Sequence, residues 1–505
     1  MATSKSRWYA LAALALSTLA IGLDTTILSV ALPTLSRDLH ASTGDLQWFT
    51  NAYLLVLAAV LLPAGMLGDR FGRKKFLLGA LFVFGAASAA CAWSASTGQL
   101  IAARTALGLG AAVIMPLSGA VLTVLFEEKE RSRALSIWLT ASALGIPLGP
   151  LLGGWLLDNF WWGSVFLINV PLIGIALIAV TLWVPESHGD RTRRFDPLGV
   201  GLSAAGLVAL TYGIIEAGDR GWGDTRSLTT MIAGVVALGA FVFWQRTTSA
   251  PLVDLGLFKI KRFTGGAVLA TVASFGMLGL LFSLPQFFAA VGGHDAFGSG
   301  LRLLPVIGGL LVGARTAEKL AARFGSRAVI AGGLTLMAAG MLLGATTSAT
   351  SGYGFVATWI SIAGIGLGFT LPPAMDAALG ALTAERSGVG NGLLQAMRQV
   401  GGAIGVAVLG TVLNGAYRDD LPATAGDAAR ESAASGVAAA TQAGDPGMLD
   451  AVRTAFTHGM DTSLVVAAVV AGAGAILALF MLPGKDRPAA PVVEQTELTL
   501  AESGL

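Results

Sequence analysis

Fourteen separate stretches of this chain are apolar over the roughly 20 residues that a helix needs to cross a lipid bilayer. They fall near residues 8–33, 46–67, 76–93, 99–125, 134–157, 162–184 and 197–217, then near 229–246, 263–290, 300–322, 327–347, 353–380, 388–414 and 461–482. Runs of that length predict an all-α membrane protein, because in hydrocarbon each segment must satisfy its own backbone polar groups. Charged residues are 12% of the 505, about half the share usual in a soluble domain, while hydrophobic residues reach 54%. In water such a chain would leave large apolar patches exposed. In a bilayer those same runs meet the solvent they prefer.

Several functions drop out at this point. A net charge of +2, with no basic cluster interleaved with aromatics, argues against nucleic acid as a partner. The single cysteine, Cys91, excludes an internal disulfide and a cysteine metal site. His40, His188, His294 and His458 fall in predicted loops or at helix ends and are not spaced to ligate a metal together, so no metal and no cofactor are expected. No nucleophile–base pair stands out, so an enzyme is not expected. No glycine-rich phosphate loop ending in Lys-Ser or Lys-Thr is present, which disfavours an ATP-driven pump. Lys5 and Arg7 before the apolar stretch from Trp8 to Leu23 have the look of a signal peptide. No small-residue cleavage site follows, however, and the run continues to Pro33, so an uncleaved first spanning helix is expected.

Positive charge supports the count. With the N-terminus in the cytoplasm, 23 of the 32 lysines and arginines fall on inside segments, including Arg191, Arg193, Arg194, Lys485 and Arg487. One missed or invented helix would scramble that asymmetry. Both termini are therefore expected in the cytoplasm and the chain in the plasma membrane.

The second run ends in Gly65-Met66-Leu67-Gly68-Asp69-Arg70-Phe71-Gly72-Arg73, and the tenth in a weaker echo, Arg323-Phe324-Gly325-Ser326-Arg327. Read as a repeat, this gives two like-oriented six-helix bundles with two helices inserted between them. The expected division is 1–195, 196–262 for the inserted pair, 263–482, and a cytoplasmic tail at 483–505. The external segment at about 415–459 is expected to be a loose loop or a surface helix. Read otherwise, arginine–glycine turns simply recur at helix ends.

Asp24 lies in the first run with only hydroxyls near it. An ionised carboxylate at membrane depth costs about 2.5–3.5 kcal/mol, and taking up a proton removes that cost. A carboxylate exchanging a proton with an aqueous cavity is what coupling to a proton gradient requires. The alternative is a structural acid near the interface. Arg104, inside the fourth run, needs a carboxylate, carbonyls or water, and Asp24 is one candidate partner; the bland account is a side chain snorkelling to the interface. Asp69 lies where the start of the thirteenth run, near Ser387-Gly388, would present its positive helix end. A contact made there in one conformation only would latch the two bundles together. In the fifth run Gly145, Gly149 and Gly153 recur every four residues beside Pro147 and Pro150, permitting close helix approach and a bend. Tyr53 and Gln286 are polar residues expected to line a substrate cavity.

These residues resemble the major facilitator superfamily, and within it the fourteen-helix drug:proton antiporters, over about residues 8 to 482. The segment Gly65–Lys75 matches the superfamily's signature loop, Asp24 to Pro33 the first-helix motif of the fourteen-helix group, and Gly145 to Gly154 the antiporter motif. Gln47-Trp48 through Tyr53 and Gly388 to Gly410 fit the same group. The resemblance implies proton coupling by Asp24 and Arg104, gating by Gly65, Asp69, Arg70, Gly72 and Arg73, and a bend at Gly145, Gly149, Pro150 and Gly153. It implies a monomeric secondary exporter that exchanges protons for a lipophilic small molecule by alternating access. Leu107 stands where the helix-four motif often has a polar residue. The second bundle also lacks a clear mid-membrane acid, Asp376 lying toward the cytoplasmic end, so a multivalent cationic substrate is not expected. A proton symporter importing a solute, and a membrane receptor or enzyme without transport, are the alternatives.

Overall fold

The computed structural model describes residues 4–189 and 195–483. The arginines at 191, 193 and 194 and the tail from 484 lie outside the described residues. Among the described residues every regular element is helical. Fourteen helices are long and apolar enough to span. The first six are α1 (Ser6–Asp38), α2 (Thr43–Phe71), α3 (Arg73–Ala92), α4 (Thr97–Leu125), α5 (Arg133–Asn159) and α6 (Ser164–Trp183). Two follow, α7 (Pro197–Arg220) and α8 (Thr225–Thr247). The last six are α9 (Lys261–Ala290), α10 (Ala296–Phe324), α11 (Ser326–Gly344), α12 (Tyr353–Leu379), α13 (Arg386–Asp420) and α14 (Pro446–Met481).

Local chemistry sets the ends. Ser42 and Asp45 form a capping box that starts α2, Ser96 caps α4, and Asp224 caps α8. The α2–α3 turn pivots on Gly72 at φ 111°, and the α10–α11 turn on Gly325 at φ 86°. Both angles lie where a side chain would clash, so the two sequence echoes make the same tight turn for the same steric reason. Prolines account for two internal breaks. α10 is interrupted at Leu303, just before Pro305, and α6 at Ile168, just before Pro171.

The first six helices pack on one another, α1 chiefly on α5 and α6, and α4 on α2 and α3. The last six do likewise, with α12 against α10 and α11, and α9 and α14 against α13. α7 and α8 pair with each other, and α7 rests on α2 and α13. The two halves meet where α2 crosses α13, α5 crosses α10 and α1 crosses α9. On its far side α8 exposes Ile232, Val235, Val236 and Phe243, an apolar face suited to lipid rather than water.

One region departs from expectation. The segment at about 415–459 is neither a loose loop nor a single surface helix. α13 runs on to Asp420, two short helices follow at Asp427–Glu431 and Ala433–Ala443, and α14 starts at Pro446 rather than near 461. The reason is packing. Tyr417 is buried and donates to the Ala429 carbonyl at 2.6 Å, while Val452, Phe456 and Met460 fill the core beneath. Asp445 caps the new start by accepting from Met448 N–H. Polar residues on the other face of this extension conceal it from a hydropathy count. His458, expected in a loop or at a helix end, therefore sits inside α14, its Nδ1 2.6 Å from Asp420 Oδ2.

Candidate functional site

Asp24 and Arg104 find each other. Nη1 of Arg104 lies 2.5 Å from Asp24 Oδ2, with the two side chains 1% and 0% exposed. Arg104 Nε donates to the Phe49 carbonyl of α2 at 2.9 Å, and the guanidinium lies over the Tyr53 ring, 4.6 Å from its centroid. The other carboxylate oxygen receives a long 3.5 Å contact from Asn169 Nδ2 on α6. Asn169 also donates to Ser88 Oγ at 3.1 Å, and Ser88 donates to the Phe166 carbonyl at 2.8 Å. Five helices of the first bundle thus build one sealed polar cluster. A carboxylate and a guanidinium so deeply buried tolerate each other only as a pair, since removing either strands a charge in low dielectric.

The glycine stripe of α5 fixes the other side of α1. A side chain at Gly145 would fall 2.5 Å from the Gly22 backbone, one at Gly149 2.0 Å from Thr26 Oγ1, and one at Gly153 2.4 Å from Ile27. Thr26 donates to the Gly145 carbonyl at 3.0 Å. The stripe therefore clamps the very turn of α1 that carries Asp24. Sequence reasoning left packing and gating equally open for these glycines, and the structure seats them against the acid's own helix.

Thr26 also lines an apolar cavity between the bundles, with Ile146 and Pro150 of α5 and Met277, Leu281, Leu310, Met337 and Leu367 from the second half. At about 30 Å³ it holds no more than water here. On the face bearing the Gly72 turn a cleft of about 360 Å³ opens between Gly65, Met66, Asp69 and Leu117 on one side and Gly388, Val389 and Gly392 on the other. The Asp69 latch to the start of α13 is not made in this conformation. Asp69 instead accepts from Arg73 Nε at 2.6 Å, and Arg70 lies over the ring of Phe71.

The opposite face is closed. Asp158 at the end of α5 accepts from the Ala296 and Phe297 N–H groups at 3.1 and 2.9 Å, and so holds the start of α10. Gln47 of α2 donates to the Val406 and Ala407 carbonyls of α13, both at 3.2 Å, and Ser36 meets Ser432 at 2.6 Å. Beside these ties lies a vestibule of about 650 Å³ lined by Arg37, Asp158, His294, Asp295 and the 433–443 helix. Burial and the charge of Arg302 hold the His294 imidazole below its ordinary range, against Asp295.

The sequence profile of the Major Facilitator Superfamily matches residues 14–406 of this architecture. The chain belongs to that superfamily. This facilitator is 34% identical to the tetracenomycin C resistance and export protein of Streptomyces glaucescens, over 96% of this chain and 93% of that one. It is 30% identical to the multidrug efflux pump LfrA of Mycolicibacterium smegmatis, over 94% and 96% respectively. A bacterial homologue of the human lysosomal transporter Spinster, in an inward-facing and unoccupied conformation, superposes with a TM-score of 0.69 at 19% identity, over 96% of this chain and 100% of the other. A D-xylose–proton symporter gives 0.62 at 15%, over 94% and 98%. These two likenesses show the fold. The protein is a multi-pass membrane transporter of small molecules, in a superfamily of transporters rather than enzymes.

Of the polar residues expected at a cavity, Tyr53 joins the charge cluster instead, and Gln286 turns to its own helix, donating to the Phe282 carbonyl at 2.7 Å. Neither lines the central apolar cavity. Asn169 and Ser88 were missed. Each is a lone polar residue in an apolar run, and the α6 break before Pro171 was the only local sign that Asn169 matters.

Proposed function

We propose that the facilitator is a proton-coupled exporter of lipophilic small molecules, acting as a monomer in the plasma membrane with both termini in the cytoplasm. The observation that carries this reading is the sealed Asp24–Arg104 pair inside the first bundle. Its relatives include an export protein and an efflux pump, which supports outward movement of substrate.

The two bundles, taken as residues 1–195 and 263–482, rock about the apolar cavity, and the linked pair at 196–262 rides between them. When a proton reaches Asp24, its ion pair weakens. Arg104 keeps the Phe49 carbonyl and the Tyr53 face, so the guanidinium stays put while α1 is released to shift. The clamp of Gly145, Gly149 and Gly153 passes that shift to α5. Pro150 of α5 sits against Gly300 of α10, where an added side chain at Gly300 would fall 2.3 Å from the Pro150 carbonyl. Movement of α5 therefore bears directly on the closed face that Asp158 holds. The segment Gly65–Arg73 closes the other face in turn, Asp69 exchanging Arg73 for the α13 terminus. One pH unit supplies about 1.36 kcal/mol per proton, and membrane potential about 2.3 kcal/mol per 100 mV per charge moved.

The test is proton flux in proteoliposomes on adding a lipophilic dye. Exchange moves protons opposite to the dye and Asp24→Asn abolishes the proton-driven component. Cotransport in the same direction, or undiminished proton-driven export by Asp24→Asn, overturns the reading.

A further inference from the structure

Arg398 is a half-buried arginine within a helix of the spanning region that finds protein partners on several helices, and the coupling scheme does not use it. It lies in α13, in Gln395-Ala396-Met397-Arg398-Gln399. Its Nε is 3.4 Å from Ser274 Oγ of α9, and its Nη1 is 2.9 Å from Gln395 Oε1 and 3.5 Å from Met375 Sδ of α12. Every one of these contacts is neutral. Among the described residues no carboxylate pairs with it, Asp376, next to Met375 in the chain, included.

Its place in the fold is as telling as its partners. Ser274 lies one helical turn from Met277, which lines the central apolar cavity. Gln395 lies one turn from Gly392, which lines the open cleft. Arg398 itself lines neither space, but its two hydrogen-bond partners each stand one turn from the lining of one of them, which sets it in depth between the cleft and the cavity. A guanidinium is permanently charged and presents a planar fork of donors suited to an oxyanion. Hydroxyl and amide oxygens orient that fork without neutralising it. Beyond it, the cavity offers methionine, leucine and isoleucine side chains, which adapt to a bulky apolar body.

We propose that Arg398, oriented by Ser274 and Gln395, is an anion-recognition subsite, and that the preferred substrates are amphipathic molecules with a carboxylate or phenolate beside an apolar body. This rests on the exporter reading for the direction of travel, but not for the binding preference itself.

The experiment compares pyrenebutyric acid with its methyl ester, which share a body and differ in charge. Binding is measured by fluorescence on the purified full-length transporter, and transport in proteoliposomes under a pH gradient. The wild type binds the acid more tightly than the ester. Arg398→Gln lowers that acid-over-ester ratio about tenfold, the size of a lost charge-assisted hydrogen bond. Arg398→Lys, which keeps the charge but not the fork, retains an intermediate ratio, and this controls for a merely structural role. Binding is read without a pH gradient and movement with one, so failure of the coupling scheme is distinguishable from failure of the subsite. Absent binding of the acid, equal binding of acid and ester by the wild type, or a ratio that survives in Arg398→Gln, overturns the proposal.

Discussion

Arg104 and Arg398 are two arginines within the spanning helices, one in each half, and their surroundings differ in kind. Arg104 has its counter-charge built in, 2.5 Å away, with a carbonyl and an aromatic ring completing the cage. Arg398 has oriented but neutral neighbours on three helices. A charge that the protein neutralises itself can be switched only by changing the partner's protonation. A charge left uncompensated beside a cavity is available to something that enters. On the proposed reading the first half responds to protons and the second to cargo.

Stability distinguishes the two most sharply. Arg104→Gln strands a buried carboxylate, and thermal melting in lipid nanodiscs should show a loss of about 3–5 kcal/mol. Arg398→Gln removes only hydrogen bonds to neutral groups and should cost about 1 kcal/mol. The double variant Asp24→Asn with Arg104→Gln should be less damaging than the sum of the two single changes, because neither charge is then left alone. Equal losses for Arg104→Gln and Arg398→Gln would break the comparison.

Glycine packing sharpens it at a smaller scale. At Gly149 an added side chain meets Thr26 Oγ1 at 2.0 Å and the Ile27 backbone nitrogen at 3.1 Å, so Gly149→Val should cost about 1–3 kcal/mol and slow transport. At Gly402 of α13 the obstacle is Leu278 Cδ1 at 2.2 Å, the end of a side chain that can turn away. Gly402→Ala should melt nearer to the wild type. The contrast is between these two positions, since side chains added at Gly401 and Gly405, beside Gly402, would meet backbone carbonyls of α9 at 2.5 and 2.2 Å.

The smallest effect belongs to the inserted pair, which has a charged device of its own. Burial disfavours ionisation of Asp196, but bonds from Gly199 N–H, Trp244 Nε1 and Gln245 Nε2 outweigh it and hold the carboxyl below its usual range. A carboxyl lowered on folding adds stability that is fully present above its unfolded value and fades as pH falls through the folded one. Melting between pH 7 and pH 3 should therefore show a loss in the wild type that is smaller in Asp196→Asn. The cap itself contributes about 1 kcal/mol.

How far the site was legible follows the range of each interaction. Asp24 and Arg104 stood out because a charge in an apolar run is anomalous wherever it folds. That they are partners was one candidate among several, since 80 residues separate them and only the packing of α1 on its neighbours closes the gap. Asn169 and Ser88 escaped notice because a single polar residue in a helix has many innocent explanations. The external segment was misread because its buried face alternates with charge at positions such as Asp450 and Arg453, which lowers mean hydropathy without lowering helicity.

The sequence by itself determined the number of spans, their repeated turns at Gly72 and Gly325, and the glycine-rich face of α5, since each depends on length, steric freedom or composition within one segment. Only the tertiary structure decided which charges meet, which face of the transporter stands open, and that Arg398 meets no acid among the described residues. Those outcomes depend on distances between helices far apart in the chain, and no periodicity along a single helix encodes them.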